Sequence, residues 1–228
     1  FRRVLADSNG NWIADFAHVG EDDDEQDIID ITTGMGSEAR ECDEDWDCTQ
    51  YGWYVFSYTL HAVPTHPEVH GHDWPWGAEI TLTIDDDTDP NNGTLYTQTK
   101  NADDDPWCGY PCFDLNGVFD LEVGQYVTMT DGTVTKTVHV STLQITSVNM
   151  DNETLSGIAD PGSDVMVNIW SQEGKARHTV ADSNGDWAVD FSVFGDEDFE
   201  QFTTDIGYGD NGRAIQLNPD GTDDGTLE

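Results

Sequence analysis

The first candidate for chemistry is an acidic run at residues 85–93, Asp-Asp-Asp-Thr-Asp-Pro-Asn-Asn-Gly. Four oxygen-bearing side chains stand at alternate positions in it: Asp85, Asp87, Asp89 and Asn91. A loop can turn such side chains toward one centre, and carboxylate and amide oxygens are ligands that calcium takes. The run is not an EF-hand, because Pro90 and Tyr96 stand where that motif needs glycine and glutamate. Calcium binding is predicted here, with a solvated acidic loop as the alternative.

Two further runs, at residues 43–47 and 218–225, also concentrate oxygen ligands. The candidate ligands are Asp43, Asp45 and Asp47 in the first run and Asn218, Asp220 and Asp224 in the second. Carboxylate, amide and hydroxyl oxygens can all ligate calcium, so the differing identities are compatible with one kind of site. A polar turn is the alternative for both runs.

Four histidines lie within twelve residues: His61, His66, His70 and His72. Imidazoles this dense can bind zinc or copper, and no cysteine lies among them to compete. Two prolines precede His70, however, and the segment also has the composition of a linker between modules. Metal binding and a solvated linker therefore both stay open.

Four cysteines form two close pairs, Cys42 with Cys48 and Cys108 with Cys112. Neither spacing is the Cys-x-x-Cys of a thiolate metal site, so two disulfides in an oxidising compartment are favoured. Local pairing within each pair is predicted, although four cysteines allow three connectivities.

The charge balance excludes several partners. Asp and Glu total 47 against 8 Lys and Arg, which gives a formal net charge of −39. Such a chain repels nucleic acid and anionic membrane surfaces. Membrane insertion is also excluded, because no stretch approaches the roughly 18 apolar residues that a span needs. An ordered fold with this charge is expected to need cations, and calcium is the predicted one.

The sequence offers no foothold for catalysis. It contains no Gly-x-Ser-x-Gly elbow, phosphate-binding loop or His-Glu-x-x-His motif. Pairs of carboxylates occur everywhere, so a glycosidase pair can always be drawn and carries little weight. The chain is predicted not to be an enzyme.

The elements that position these residues include an internal repeat. Residues 6–12 (ADSNGNW) recur as residues 181–187 (ADSNGDW) at an offset of 175. Fewer residues match beyond this motif, but the matches continue at the same offset. Residues 1–53 and 176–228 are therefore two copies of one segment. Trp12 is predicted to be a core aromatic. The chain therefore holds one repeat period plus an overlap, as expected for one period of a tandem array or for a subunit whose ends complete each other in a polymer. The offset places Leu217 and Asp223 at the positions of Cys42 and Cys48.

Alternating apolar and polar residues predict strands throughout, and no helix of ten or more residues is expected. The clearest alternations cover residues 79–84, 126–130, 134–140, 165–170 and 187–191. Asn-Gly and Asp-Gly pairs between such runs supply tight hairpin turns. The predicted fold class is all-β, built from tandem β-sandwich modules with long acidic loops.

Residues 154–191 carry a specific resemblance. The residues that carry it are Gly157, Ala159, Pro161, Gly162, Val165, Val167, Ala181, Asp182, Gly185 and Trp187. In this pattern the segment resembles the bacterial Ig-like modules of long repetitive surface proteins. The resemblance implies an Ig-like β-sandwich, a role in adhesins, matrix proteins or surface fibres, and no enzyme activity.

On this basis the chain divides into five segments. They are the end of a preceding Ig-like module (1–19), an acidic β segment with a His-rich linker (20–75), a middle β module (76–142), an Ig-like module (143–195) and the start of the next acidic segment (196–228).

The leading hypothesis is a structural repeat unit of a secreted, calcium-stabilised bacterial surface fibre or adhesin, whose partners are further copies of the same repeat. One alternative is a carbohydrate- or ligand-binding module that uses exposed aromatics as a stacking platform, the candidates being Trp53, Trp74, Trp76 and Trp107. Another is a salt-adapted secreted protein without specific ion sites. A secreted polysaccharide-degrading enzyme ranks third.

Overall fold

Short alternating runs of apolar residues become strands, and the prediction of an all-β fold is confirmed. The computed structural model describes residues 1–86, 93–102, 111–170 and 175–228. The 3-10 turns with described bounds are Asp23–Glu25 and Asp198–Glu200, each of three residues. None of the described helices has the length and apolar character to span a membrane. The described part of the chain divides between Ser57 and Tyr58 into two units.

The described strands are, in chain order, β1 (Gly36–Cys42), β2 (Cys48–Tyr54), β3 (Thr59–Val63), β4 (Glu68–His72), β5 (Glu79–Asp85), β6 (Tyr96–Asn101), β7 (Cys112–Asp114), β8 (Tyr126–Thr130), β9 (Thr135–His139), β10 (Gln144–Asn149), β11 (Thr154–Ile158), β12 (Asp164–Ile169), β13 (Lys175–Val180), β14 (Asp186–Asp190), β15 (Gly212–Leu217) and β16 (Gly225–Leu227). The five predicted alternations coincide, to within one residue at each end, with β5, β8, β9, β12 and β14. In β5 the alternation is complete, with Ile80, Leu82 and Ile84 fully buried between more exposed threonines.

A seven-stranded sheet organises the second unit, in the order β13-β12-β15-β16-β3-β4-β7. Its β3, β4 and β7 pack against a four-stranded sheet, β6-β5-β8-β9, around one apolar core. Its β12 and β15 pack against a three-stranded sheet, β10-β11-β14, around a second core that includes Trp187 and Phe191. Two β-sandwiches thus share one continuous sheet, and the β15–β16 hairpin is the part that joins them. Hydrogen bonds link β15 to β12 on one side and β16 to β3 on the other.

The first unit, residues 1–57, contains a single hairpin, β1–β2, among its described elements. A disulfide joins Cys42 to Cys48 at the end of this hairpin, as local pairing predicts. Cys112 is also disulfide-bonded. Its predicted partner, Cys108, lies outside the described residues.

The two copies of the repeat form the same local structure around a buried or half-buried arginine. Arg177 donates to the carbonyl oxygens of Asp190 (3.1 Å), Val193 (2.6 Å) and Phe202 (2.6 Å), and Arg2 donates to those of Asp15 (2.9 Å), His18 (2.7 Å) and Asp27 (2.5 Å). Each pair of equivalent residues differs by 175 in number. We call this arrangement, an arginine that donates to three distant carbonyls, the arginine hub.

The equivalence continues into the last hairpin with one change of length. β15 and β16 correspond to β1 and β2, but seven residues join the later pair and five join the earlier one. The ladder pairs Leu217 with Gly225 where it pairs Cys42 with Cys48. Gly225 therefore takes the position of Cys48, and the expectation that Asp223 does so is wrong because the turn of the second copy is longer.

The interpretation of the His-rich part of segment 20–75 as a linker is wrong for residues 59–72. This segment forms the antiparallel pair β3–β4, because Leu60, Ala62 and Val69 alternate into the core. Pro64 and Pro67 lie in the turn between the two strands, where a missing backbone N–H costs no ladder hydrogen bond.

Candidate functional site

Three of the four predicted histidines come together on one face of the β3–β4 pair. His61 and His70 lie directly opposite each other in the ladder, and His72 lies two residues beyond His70 on the same face. The ring centroids are 5.4 Å apart for His61 and His70, 5.6 Å for His70 and His72, and 5.9 Å for His61 and His72. One ring nitrogen from each histidine lies within 4.8 Å of the other two. We call these three residues the histidine cluster.

Hydrogen bonds fix the orientation of the two buried rings. His61 is 3% exposed, and its Nε2 lies 2.8 Å from the carbonyl oxygen of Asp223. A carbonyl can only accept, so Nε2 carries the proton and Nδ1 keeps its lone pair. His70 is 6% exposed, and its Nδ1 lies 3.2 Å from Oε1 of Glu68. The carboxylate likewise makes Nδ1 the donor, which leaves the lone pair of His70 on Nε2.

Nδ1 of His61 is a buried polar atom without a hydrogen-bond partner among the described residues. Leaving such an acceptor without a partner costs free energy, and a buried polar atom of this kind requires an explanation.

Burial keeps the cluster uncharged. It lowers the pKa of His61 to about 4 and, together with the neighbouring His61 and His72, lowers the pKa of His70 to about 3. Burial and the charge of Arg213 also lower the pKa of His72. The two buried imidazoles are therefore neutral at physiological pH, which is the form that can donate a lone pair.

Arg213 on β15 influences the whole cluster, because its positive charge lowers the pKa of all three histidines. Burial lowers the pKa of Arg213 itself, and its Nε has no partner among the described residues. Its guanidinium lies 5.6 Å from the centre of the Trp170 ring. No sequence signal points to Arg213, because it lies about 150 residues from the histidines and no motif links the two.

The fourth predicted histidine, His66, lies apart from the cluster. It is exposed in the turn between β3 and β4. His66 is therefore not one of the candidate metal ligands, although it lies in the same segment.

The acidic run at residues 43–47 forms the turn of the β1–β2 hairpin. Oδ1 of Asp43 accepts hydrogen bonds from the backbone N–H groups of Asp45 and Asp47, each at 3.0 Å. These bonds organise the turn, and all three carboxylates are exposed. Calcium binding at Asp43, Asp45 and Asp47 stays a prediction.

The run at residues 218–225 forms the corresponding turn between β15 and β16, but its carboxylates differ in environment. Oδ1 of Asp220 accepts from the N–H and hydroxyl groups of Thr222. Asp224 is 1% exposed, accepts from the backbone N–H of Leu60 at 2.7 Å and pairs with Nζ of Lys136 at 2.9 Å. Asn218 donates to the carbonyl oxygen of Thr137. These contacts give Asp224 a structural role in joining the two sandwiches.

In the run after β5, the structure places Asp85 at the end of the strand, paired in register with Tyr126. Asp87, Asp89 and Asn91 lie outside the described residues, so the predicted calcium loop stays a prediction. One acidic group that sequence reasoning missed, Asp22 with Asp24 and Glu25, surrounds Arg3.

The predicted aromatic platform does not include Trp74. This residue is buried, and its Nε1 donates to the carbonyl oxygen of Thr59 at 2.9 Å. Trp53 is half-buried and Trp76 is exposed, while Trp107 lies outside the described residues.

The chain matches no protein-family model and none of the curated proteins. Among solved structures it is similar to a tetra-tandem repeat from the extending region of a large adhesion protein, with a TM-score of 0.21 and 16% sequence identity. The match covers 99% of this chain and 64% of the other. A TM-score this low does not establish a shared fold.

Proposed function

We propose that this chain is a structural repeat unit of a secreted surface fibre or adhesin, in which successive copies complete one another's β-sandwiches. The observation that carries the proposal is that one face of the repeat is buried in the second copy and exposed in the first. Both copies hold the same arginine hub, yet Trp187 is 3% exposed and its equivalent Trp12 is 53% exposed. The prediction that Trp12 is a core aromatic is therefore wrong for the chain by itself.

The contrast recurs at a second pair of equivalent residues. Ile206 is 8% exposed and its equivalent Ile31 is 44% exposed. In the second copy the partners of this face lie in residues 143–169, since β14 pairs with β11 and β15 pairs with β12. We infer that a segment of the same sequence, from a neighbouring copy of the repeat, covers residues 1–57 in an array. Burial of these apolar side chains then supplies the attraction between copies.

The shared sheet suits a spacer that transmits force. A pull on one sandwich of the second unit is carried to the other through the ladders of β12 with β15 and β16 with β3. At the junction itself, the ladder of β16 with β3 pairs Gly225 with His61 and Thr226 with Ala62, and the buried Asp224 adds contacts with Leu60 and Lys136. This supports a mechanical role over a catalytic one.

Calcium stabilisation forms part of the proposal. The formal charge of −39 opposes compaction, and each bound calcium ion cancels two charges while it bridges loops. Extracellular localisation follows from the same proposal and accords with the disulfides, which persist in oxidising compartments.

The test of copy-to-copy completion is a chain with a second copy of residues 143–175 fused before Phe1. We expect Trp12 fluorescence to shift to shorter wavelength and amide exchange in residues 1–57 to slow. The matched control carries Val165→Asp and Val167→Asp in the added copy alone, which places two carboxylates on the apolar face of β12 and should abolish both effects. An unchanged Trp12 in the extended chain would overturn the proposal.

The calcium component has a separate test. Thermal melts in chelator, in millimolar calcium and in sodium chloride of matched ionic strength distinguish a specific ion site from charge screening. We expect a rise in Tm specific to calcium. Equal melts in calcium and sodium would leave salt adaptation as the explanation of the acidity.

A further inference from the structure

We propose that His61, His70 and His72 bind one divalent transition-metal ion of the zinc and copper class. Three imidazoles on one sheet face offer three nitrogen ligands, and this donor set suits late first-row metals rather than calcium. The proposal does not depend on the repeat-unit function, because the cluster lies wholly within the second unit.

The hydrogen bonds of the cluster are those that metal-binding histidines make. Such histidines donate the second ring N–H to a carbonyl or carboxylate, which fixes the tautomer and aims the lone pair at the metal. His61 does so through Asp223 and His70 through Glu68. A metal ion would give Nδ1 of His61, now buried without a partner, the ligand role that its lone pair fits.

The distances allow one ion to reach all three rings. Zinc–nitrogen bonds of about 2.0–2.1 Å place tetrahedral ligands about 3.4 Å apart. One ring nitrogen of each histidine lies within 4.8 Å of the other two, so the largest separation must shorten by at most about 1.4 Å to reach this spacing.

Charges around the cluster act in both directions. Asp73 favours a positive charge at His72 and Asp224 favours one at His61, whereas Arg213 opposes it at both. Three histidines leave one position of a tetrahedral ion open for water or an anion.

Metal binding would act on the junction between the two sandwiches. All three ligands lie on β3–β4, and β3 is the strand that β16 joins from the other sandwich. The hydrogen bond from His61 to Asp223 connects the ion to the β15–β16 turn. We therefore expect the ion to stabilise the second unit as a whole.

The experiment is a titration of the full, untagged chain with zinc chloride, followed by calorimetry and by cobalt(II) absorption as a spectroscopic substitute. Excess calcium and magnesium are present throughout, because 47 carboxylates would otherwise bind zinc at the surface. A parallel titration uses copper(II). We expect one ion per chain, a tetrahedral cobalt spectrum and a Tm that rises with zinc concentration.

Three variants make the result specific. His72→Gln removes an exposed ligand with little risk to folding, and we expect it to weaken binding at least about tenfold. His61→Gln removes a buried ligand and should do the same if circular dichroism confirms that it folds. His66→Gln is the matched control in the adjacent turn and should leave affinity unchanged. Equal affinity in wild type and His72→Gln would overturn the proposal, as would an equal loss in His66→Gln.

Discussion

The arginine hub of the second copy permits a quantitative test of what holds the second sandwich together. Arg177 is 3% exposed and reaches three carbonyl oxygens far from it in sequence, on Asp190, Val193 and Phe202. Its guanidinium also lies 4.2 Å from the centre of the Phe202 ring. We predict that Arg177→Met, which keeps the alkyl chain and removes every donor, strongly destabilises the second unit.

The magnitude follows from the number of lost donors. A hydrogen bond from a charged group contributes about 1.5–3 kcal/mol, and removing the donor leaves three partly buried carbonyls without this partner. Partial entry of water offsets some of this cost, as does relief from burying the guanidinium, whose pKa burial lowers. The expected loss in the free energy of unfolding is about 3–5 kcal/mol.

The assay is urea unfolding of the full chain, with amide exchange of residues 143–217 to locate the transition. The same change in the other copy, Arg2→Met, is the matched control, and it should alter this transition by less than about 1 kcal/mol because Arg2 belongs to the first unit. A loss below about 1 kcal/mol in Arg177→Met would refute the reasoning, since the three carbonyls would then have found other donors, including water.

Three further predictions concern the same unit. Lys136→Met leaves the buried carboxylate of Asp224 without its ion-pair partner and should lower the free energy of unfolding by about 3–5 kcal/mol, measured by urea titration. If the unpaired charge is the cause, adding Asp224→Asn should restore part of the stability. A double variant no more stable than Lys136→Met would contradict this. Gly157→Ala places a Cβ against the Gln144 carbonyl and the Trp187 ring, so we expect the free energy of unfolding to fall by about 3 kcal/mol or more in the same assay. A loss below about 1 kcal/mol would show that β10 and β14 can move apart to accommodate the methyl group. Backbone N–H groups, first that of Asn184, lower the pKa of Asp182. Its contribution to the turn is complete above the ordinary aspartate pKa and is lost as pH falls through the lowered value, which a carbon-13 NMR titration of the carboxyl group should show and an ordinary titration midpoint would exclude.

The strands that the sequence predicted are those with one apolar face and one polar face. β5, β8, β9, β12 and β14 alternate cleanly because each borders a core on one side. The β1–β2 hairpin is exposed along nearly its whole length and so lacks the alternation that identifies a strand. The same residue pattern therefore predicts strands well only where the chain itself supplies the opposing layer.

The histidine cluster could be anticipated as a set of ligands but not as a geometry. Two prolines made a linker the simpler interpretation, and the sequence does not say that both fall in one turn. The pairing of His61 with His70 depends on the register of β3 with β4. The hydrogen bond to Asp223 depends in addition on a parallel contact with β16, more than 160 residues away. No local pattern carries such contacts.

The internal repeat held more information than its motif suggested. An offset of 175 aligns Arg2 with Arg177 and Glu25 with Glu200, and these are the residues that organise both copies. An arginine that donates to backbone carbonyls requires no particular side chain from its partners, and two of the three partner positions differ between the copies, His18 from Val193 and Asp27 from Phe202. Trp12 is exposed although the arginine hub of its copy is intact. The local structure therefore forms without strands equivalent to β11 and β12, which in the second copy bury the apolar side chains. A segment with the sequence of residues 143–169 then has a folded surface to join.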